Sequence, residues 1–175
     1  MPAPDFDDPL GLLAACHGRI RERCATLVRL PAHLTAHGAD AAARTAAGRI
    51  LTYFETAAPH HHADEEQDLF PLLRGRARDG GRDEIVRLID GLAAEHAELD
   101  RAWCALRPRL EALRDGDPAL LSDASAVDPL VRLYEGHMVR EEEGVFAYAR
   151  AVLGDSERRV LGQAMARRRG CAQES

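Results

Sequence analysis

Four segments of the chain carry inward-type residues at alternating steps of three and four, the spacing that lines one face of an α-helix. In the first, Leu10, Leu13, His17, Ile20, Cys24 and Leu27 follow one another at 3-4-3-4-3. The second stripe is Ile50, Phe54, Ala57, His61, Glu65, Leu69 and Leu72. The third is Ile85, Leu88, Leu92, His96, Leu99, Trp103, Leu106, Leu110 and Leu113. The fourth is Leu130, Tyr134, His137, Glu141, Val145, Tyr148 and Val152. No segment reads as a strand. The pattern predicts an all-α, up-down four-helix bundle with a short extra C-terminal helix.

Helix breakers and caps set the expected boundaries. Asp8-Pro9 starts the first helix, with Asp8 as N-cap and Pro9 at the first helical position. Pro31 is expected to stop it near Leu30, leaving a polar stretch over 31–39. The second helix is expected over about 40–78, with Pro59 kinking or restarting it. Asp79-Gly80-Gly81 reads as a turn. The third helix follows over about 83–114, then a loop over 115–127 with one short turn at Ala119–Leu121. Asp128-Pro129 begins a fourth helix that ends near Gly154. Asp155 or Ser156 caps the last helix, whose closing Arg167-Arg168-Arg169 complements the helix dipole. The expectation is one domain over residues 1–175, with the bundle over about 9–153 and the extra helix over about 156–169.

Composition narrows the functional classes. Apolar residues make up 46% and charged residues 30% of the chain, which excludes disorder as the main state. Aromatics are only 5%, a composition that favours helices over sheets. The formal net charge of −6 argues against nucleic-acid and anionic-membrane partners. No apolar run approaches the roughly 20 residues of a membrane helix. The acidic, Pro-containing start MPAPDFDDP fits neither a secretory nor a transit signal. Cys16, Cys24, Cys104 and Cys171 form no CxxC pair and read as reduced thiols of a cytoplasmic protein.

The stripes themselves carry the chemistry. Each bears one histidine, and two also bear a glutamate. Taken singly, a core histidine or an i, i+4 His–Glu pair is ordinary. Four histidines and two glutamates on inward faces are different, because a buried carboxylate must be paired, neutralised or bound to a metal. No arginine stands on the stripes, whereas neutral imidazole and carboxylate are both good ligands for first-row divalent metals. The segments His61-x3-Glu65-Glu66-x3-Phe70 and His137-x3-Glu141-Glu142-x3-Phe146 also repeat one another, as two halves of a binuclear site would. Counted from the turn at Asp79-Gly80, His61 lies 18 residues back and His96 16 residues forward. At 1.5 Å per residue those are about 27 Å and 24 Å, so an antiparallel hairpin is expected to bring the two imidazoles to nearly one level.

These motifs resemble the hemerythrin-like HHE cation-binding domains. The matching residues are His17; His61-His62-Ala63-Asp64-Glu65-Glu66-Gln67-Asp68-Leu69-Phe70-Pro71; Glu95-His96; and His137-Met138-Val139-Arg140-Glu141-Glu142. The resemblance covers about residues 10–153. It implies two non-haem iron ions joined by an oxo or hydroxo bridge. Glu65 and Glu141 would span the pair, His17 and His61 would hold one iron, and His96 and His137 the other. It further implies a small diatomic or peroxide as ligand (O2, NO or H2O2) in stress response, sensing or iron-centre maintenance. Oxygen carriers of the family have a second histidine four residues from the one on helix 3, where this chain has Leu92 and Asp100. His62 is a candidate substitute, as ligand or as a group behind one. Fewer fixed ligands leave open coordination positions, which suits reaction more than reversible carriage. Ferritin-type bundles use Glu-x-x-His, which this chain lacks. Asp64, Glu66 and Glu142 are expected to be solvated or to orient imidazoles. Two other classes are weighed against a reactive di-iron centre: a metal-sensing module whose occupancy controls a protein partner, and a structural zinc bundle.

Overall fold

The computed structural model describes residues 6–118, 121 and 123–171. Among them there is no strand. The helices are α1 (Pro9–His37), α2 (Ala41–Asp64), α3 (Phe70–Asp79), α4 (Asp83–Asp115), α5 (Asp128–Arg140), α6 (Ala147–Val152) and α7 (Asp155–Arg168). Two segments of π-helix interrupt this order: π1 (Glu65–Leu69) joins α2 to α3, and π2 (Glu141–Phe146) joins α5 to α6. A 3-10 turn occupies Ala124–Ala126. The turn expected at Ala119–Leu121 falls largely outside the described residues.

Local chemistry explains most boundaries. The Asp8 carboxylate accepts the Gly11 N–H at 2.9 Å, capping α1 as expected. Pro31 does not stop that helix, which runs on to His37. Proline removes one backbone donor at a cost of about 3 kcal/mol, and buried Leu30 and Leu34 on either side of it offset that cost. Gly38, at φ +67°, closes α1 by donating to the Leu34 carbonyl at 2.8 Å. Asp40 then caps α2 through the Ala43 N–H at 2.8 Å. The α-helix also continues through Pro59; the departure from α geometry comes later, at Glu65. The last helix begins at Asp155 with Gly154 as its N-cap, ahead of both expected caps, and the Glu157 carboxylate accepts the Gly154 N–H at 3.0 Å.

The π segments correct the expected stripes. In π1 the Phe70 N–H donates to the Glu65 carbonyl five residues back. A π turn inserts one residue, and each added residue rotates the downstream helix by about 100°. After π1 the buried residues are therefore Phe70, Leu73 and Ala77, while the expected Leu72 is half-buried. From the last residue of π2 onward they are Phe146, Ala149 and Leu153, while the expected Tyr148 and Val152 are half-buried. The same one-residue shift occurs in both repeats.

Backbone contacts divide the chain into two compact units. The first takes the chain up to Gly18, Pro59–Ala94, and everything from Met138 onward. Its core gathers Leu10, Leu13, Leu69, Phe70, Leu73, Ile89, Leu92, Val145, Phe146, Leu161 and Met165. The C-terminal helix is thus an integral part of this core. Each such buried Leu or Phe stabilises by about 1.5–3 kcal/mol relative to exposure. The second unit comprises Arg19–Ala58 and Glu95–His137. There Phe54 meets Trp103 and Tyr134 at ring-centre distances of 4.9 and 5.5 Å, and Tyr53 joins at 5.6 Å. The two tyrosines are packing residues of this aromatic group.

Candidate metal centre

His17, His61, Glu65 and Glu141 converge inside the first unit. One ligand atom from each lies within 4.8 Å of those of the other three, and all four residues are buried. They come from separate places on the chain: His17 from α1, His61 from the last turn of α2, and the two glutamates from the first positions of π1 and π2. The π turns thus begin at the acids themselves. Gly144 allows close packing within π2, since a Cβ there would lie 2.3 Å from Leu88 Cδ2 on α4.

The contacts within this group are short. His17 Nε2 lies 3.1 Å from Glu141 Oε2, and His61 Nε2 lies 3.3 Å from Glu65 Oε1. The two imidazoles meet edge to face at 4.9 Å, and the Phe146 ring stacks on His17 at 5.1 Å. Glu142, half-buried, accepts the His17 Nδ1–H at 2.8 Å. That bond fixes the tautomer and turns the Nε2 lone pair toward Glu141. A lone pair facing a carboxylate oxygen at 3.1 Å is repulsive unless a proton or a cation lies between them. Burial raises the Glu65 carboxyl well above the ordinary range, and the facing Glu141 and neighbouring Asp64 raise it further. Two buried acids and two imidazoles form a donor set that a divalent cation satisfies.

In the second unit, His96 and His137 are both buried, with their Nε2 atoms 3.1 Å apart. Glu95 accepts the His137 Nδ1–H at 3.0 Å, so this imidazole is oriented as His17 is. Adjacent ligands about 2.1 Å from an octahedral cation stand about 3 Å apart. The His17–Glu141, His61–Glu65 and His96–His137 contacts all approach that separation.

A match to the hemerythrin HHE cation-binding domain extends over residues 8–157. This chain belongs to that family. An uncharacterized protein of Haemophilus influenzae is 32% identical over 164 residues, a stretch covering 94% of this chain and 91% of the relative. Membership in the HHE family agrees with the buried imidazole–carboxylate group as a place for a cation. No helix among the described residues is long and apolar enough to cross a membrane.

His62 stands beside the first group. It is half-buried, with its ring centre 5.8 Å from that of His61. Glu142 takes the orienting role expected of it. Glu95 was legible only as half of a Glu95-His96 motif, because its partner His137 is 42 residues away. Asp64 departs most from expectation. It is fully buried and accepts hydrogen bonds from Arg168 and Arg169, so it neither meets solvent nor holds an imidazole. His33, within the stretch over 31–39 expected to be non-helical, lies in α1 and meets Asp40 at 3.0 Å.

Proposed function

We propose that this HHE protein is a cytoplasmic, up-down helical bundle that holds two non-haem iron ions and binds or reacts with O2, NO or peroxide. The observation that carries the reading is the fully buried quartet of His17, His61, Glu65 and Glu141, with ligand atoms within 4.8 Å of one another. In this reading His17 and His61 serve one iron, His96 and His137 the other, and Glu65 and Glu141 span both. His62 is the residue available for an additional ligand position. Iron held in this way supplies redox change and open coordination positions for a small ligand.

The chain's own groups prepare the site. Glu142 and Glu95 hold the Nδ1 protons of His17 and His137, which leaves both Nε2 atoms as donors to a cation. The stacked Phe146 ring covers the His17 face and keeps water from it.

The test is metal loading. Protein from iron-replete cells, or apo protein loaded anaerobically with Fe2+, is expected to hold about two irons per chain and to change its visible spectrum on addition of NO. His61→Ala and Glu141→Ala are expected to lose most of that iron while keeping helicity. Full iron retention in both variants would refute the ligand assignment. Stoichiometric zinc with no response to NO, O2 or peroxide would make this a structural zinc bundle. Metal-dependent capture of a protein partner without such reactivity would make it a sensing module.

A further inference from the structure

The last turn of α7 ties the far end of the chain to the residue preceding Glu65. Arg168 and Arg169 both donate to the Asp64 carboxylate; Arg169 does so through Nη1 at 3.1 Å and Nη2 at 2.6 Å. Arg168 also donates to Asp68 at 2.6 Å and to Gln67 at 3.2 Å. Arg169 Nη1 is held in turn by the Met165 carbonyl at 3.0 Å. Asp64 is fully buried, and the two arginines are only 16% and 17% exposed. Two guanidinium groups thus meet two carboxylates, so the charges balance within a largely desolvated cluster.

The placement matters more than the charge. Asp64 is the N-cap of π1, and Asp68 lies within π1, so the arginines grip the π segment at two points one turn apart. A π turn is rare and persists where tertiary contacts hold it. The other repeat has Arg140 and Gly144 at the corresponding positions, where no acid could receive an arginine. There the neighbouring Glu142–His17 bond and the close approach of Leu88 to Gly144 hold the segment. The two halves of the repeat therefore differ in their contacts, and the Glu65 half receives two arginines from the end of α7.

We infer that Arg168 and Arg169 are positioning residues for the metal centre: through Asp64 they fix π1, and with it the Glu65 carboxylate, so cation retention depends on the docked end of α7. The inference rests on the metal-binding reading above. It assigns to the C-terminal arginines a role distinct from complementing a helix dipole.

The experiment uses the full chain loaded with Co2+, whose visible bands report coordination geometry, and follows its release to excess chelator. Arg168→Gln/Arg169→Gln is compared with Arg168→Lys/Arg169→Lys and with Arg76→Gln. The last variant breaks a different tether of α7, the Arg76–Glu157 pair at 2.6 Å, without touching Asp64. The double glutamine variant is expected to release Co2+ at least tenfold faster with shifted bands. The double lysine variant, which keeps charge without the fork, is expected to recover part of the loss. Arg76→Gln is expected to match the wild type. Unchanged bands and release in the glutamine variant would overturn the inference, as would an equal effect of Arg76→Gln. If the glutamine variant fails to fold, the lysine variant decides: wild-type bands and release rate in that protein overturn the inference. Failure of the wild-type chain to bind Co2+ or Fe2+ would instead overturn the metal-binding reading.

Discussion

Replacing Glu65 with glutamine separates the stability of this protein from its metal chemistry. Without metal, Glu65 is fully buried, and burial, Glu141 and Asp64 all raise its carboxyl well above the ordinary range. The native state then binds a proton that the unfolded chain gives up at an ordinary carboxyl pKa near 4.3. A raised folded-state pKa gives a contribution that is complete below the unfolded pKa and is lost as pH rises through the folded one. The apo protein should therefore weaken as pH rises above about 4.3. Holding one ordinary carboxyl protonated at pH 7 costs about 1.4 kcal/mol per pH unit, or at most about 3–4 kcal/mol in all. Glutamine is close in shape, carries no charge and can still donate toward Glu141. Glu65→Gln is thus expected to stabilise the apo protein at pH 7 by about 1–3 kcal/mol, at roughly 2–4 °C of Tm per kcal/mol for a chain of this size. Urea denaturation followed by circular dichroism, in EDTA and at several pH values, measures this directly. The gain should grow with pH and vanish near pH 4, and the variant should gain far less stability than the wild type on adding Fe2+. An apo variant weaker than wild type at pH 7, or a gain independent of pH, would refute the electrostatic account of this pair.

Other parts of the molecule give three further expected outcomes. Glu142→Ala removes the acceptor of the His17 Nδ1–H and should weaken Fe2+ binding about 10–100-fold with little change in helicity, as chelator competition would show. Gly162→Ala places a Cβ 1.9 Å from the Phe6 carbonyl oxygen, a backbone atom that cannot swing away, and should cost about 1–3 kcal/mol in urea denaturation. Exposed Cys104 and Cys171 should react with a thiol reagent at pH 8 far faster than buried Cys16 and Cys24, because burial, with Glu135 adding, pushes the Cys24 thiol up to about 12.

The primary structure by itself determined the helical segments and most of the residues on their inward faces up to the two glutamates, although Ala58 and Ile89 are buried where Ala57 and Leu88 were expected. Alternation by three and four is a local property, and it placed His17, His61, Glu65, His96, His137 and Glu141 in the interior, where all six are buried. The capping of α1 by Asp8 was equally local. Three things were decided only in the folded molecule. Pro31 was absorbed into α1 because buried leucines around it outweigh one missing hydrogen bond. The π turns moved the stripes by one residue, so that Leu73, Ala149 and Leu153 are buried where Leu72, Tyr148 and Val152 were expected. No composition signals such a turn, since it is held by packing such as that of Leu88 against Gly144. Asp64 found its cations 104 and 105 residues away, on a helix whose arginines read locally as dipole partners. Periodicity reports which side of a helix faces inward, but the partner of a buried charge depends on which distant segment folds against it.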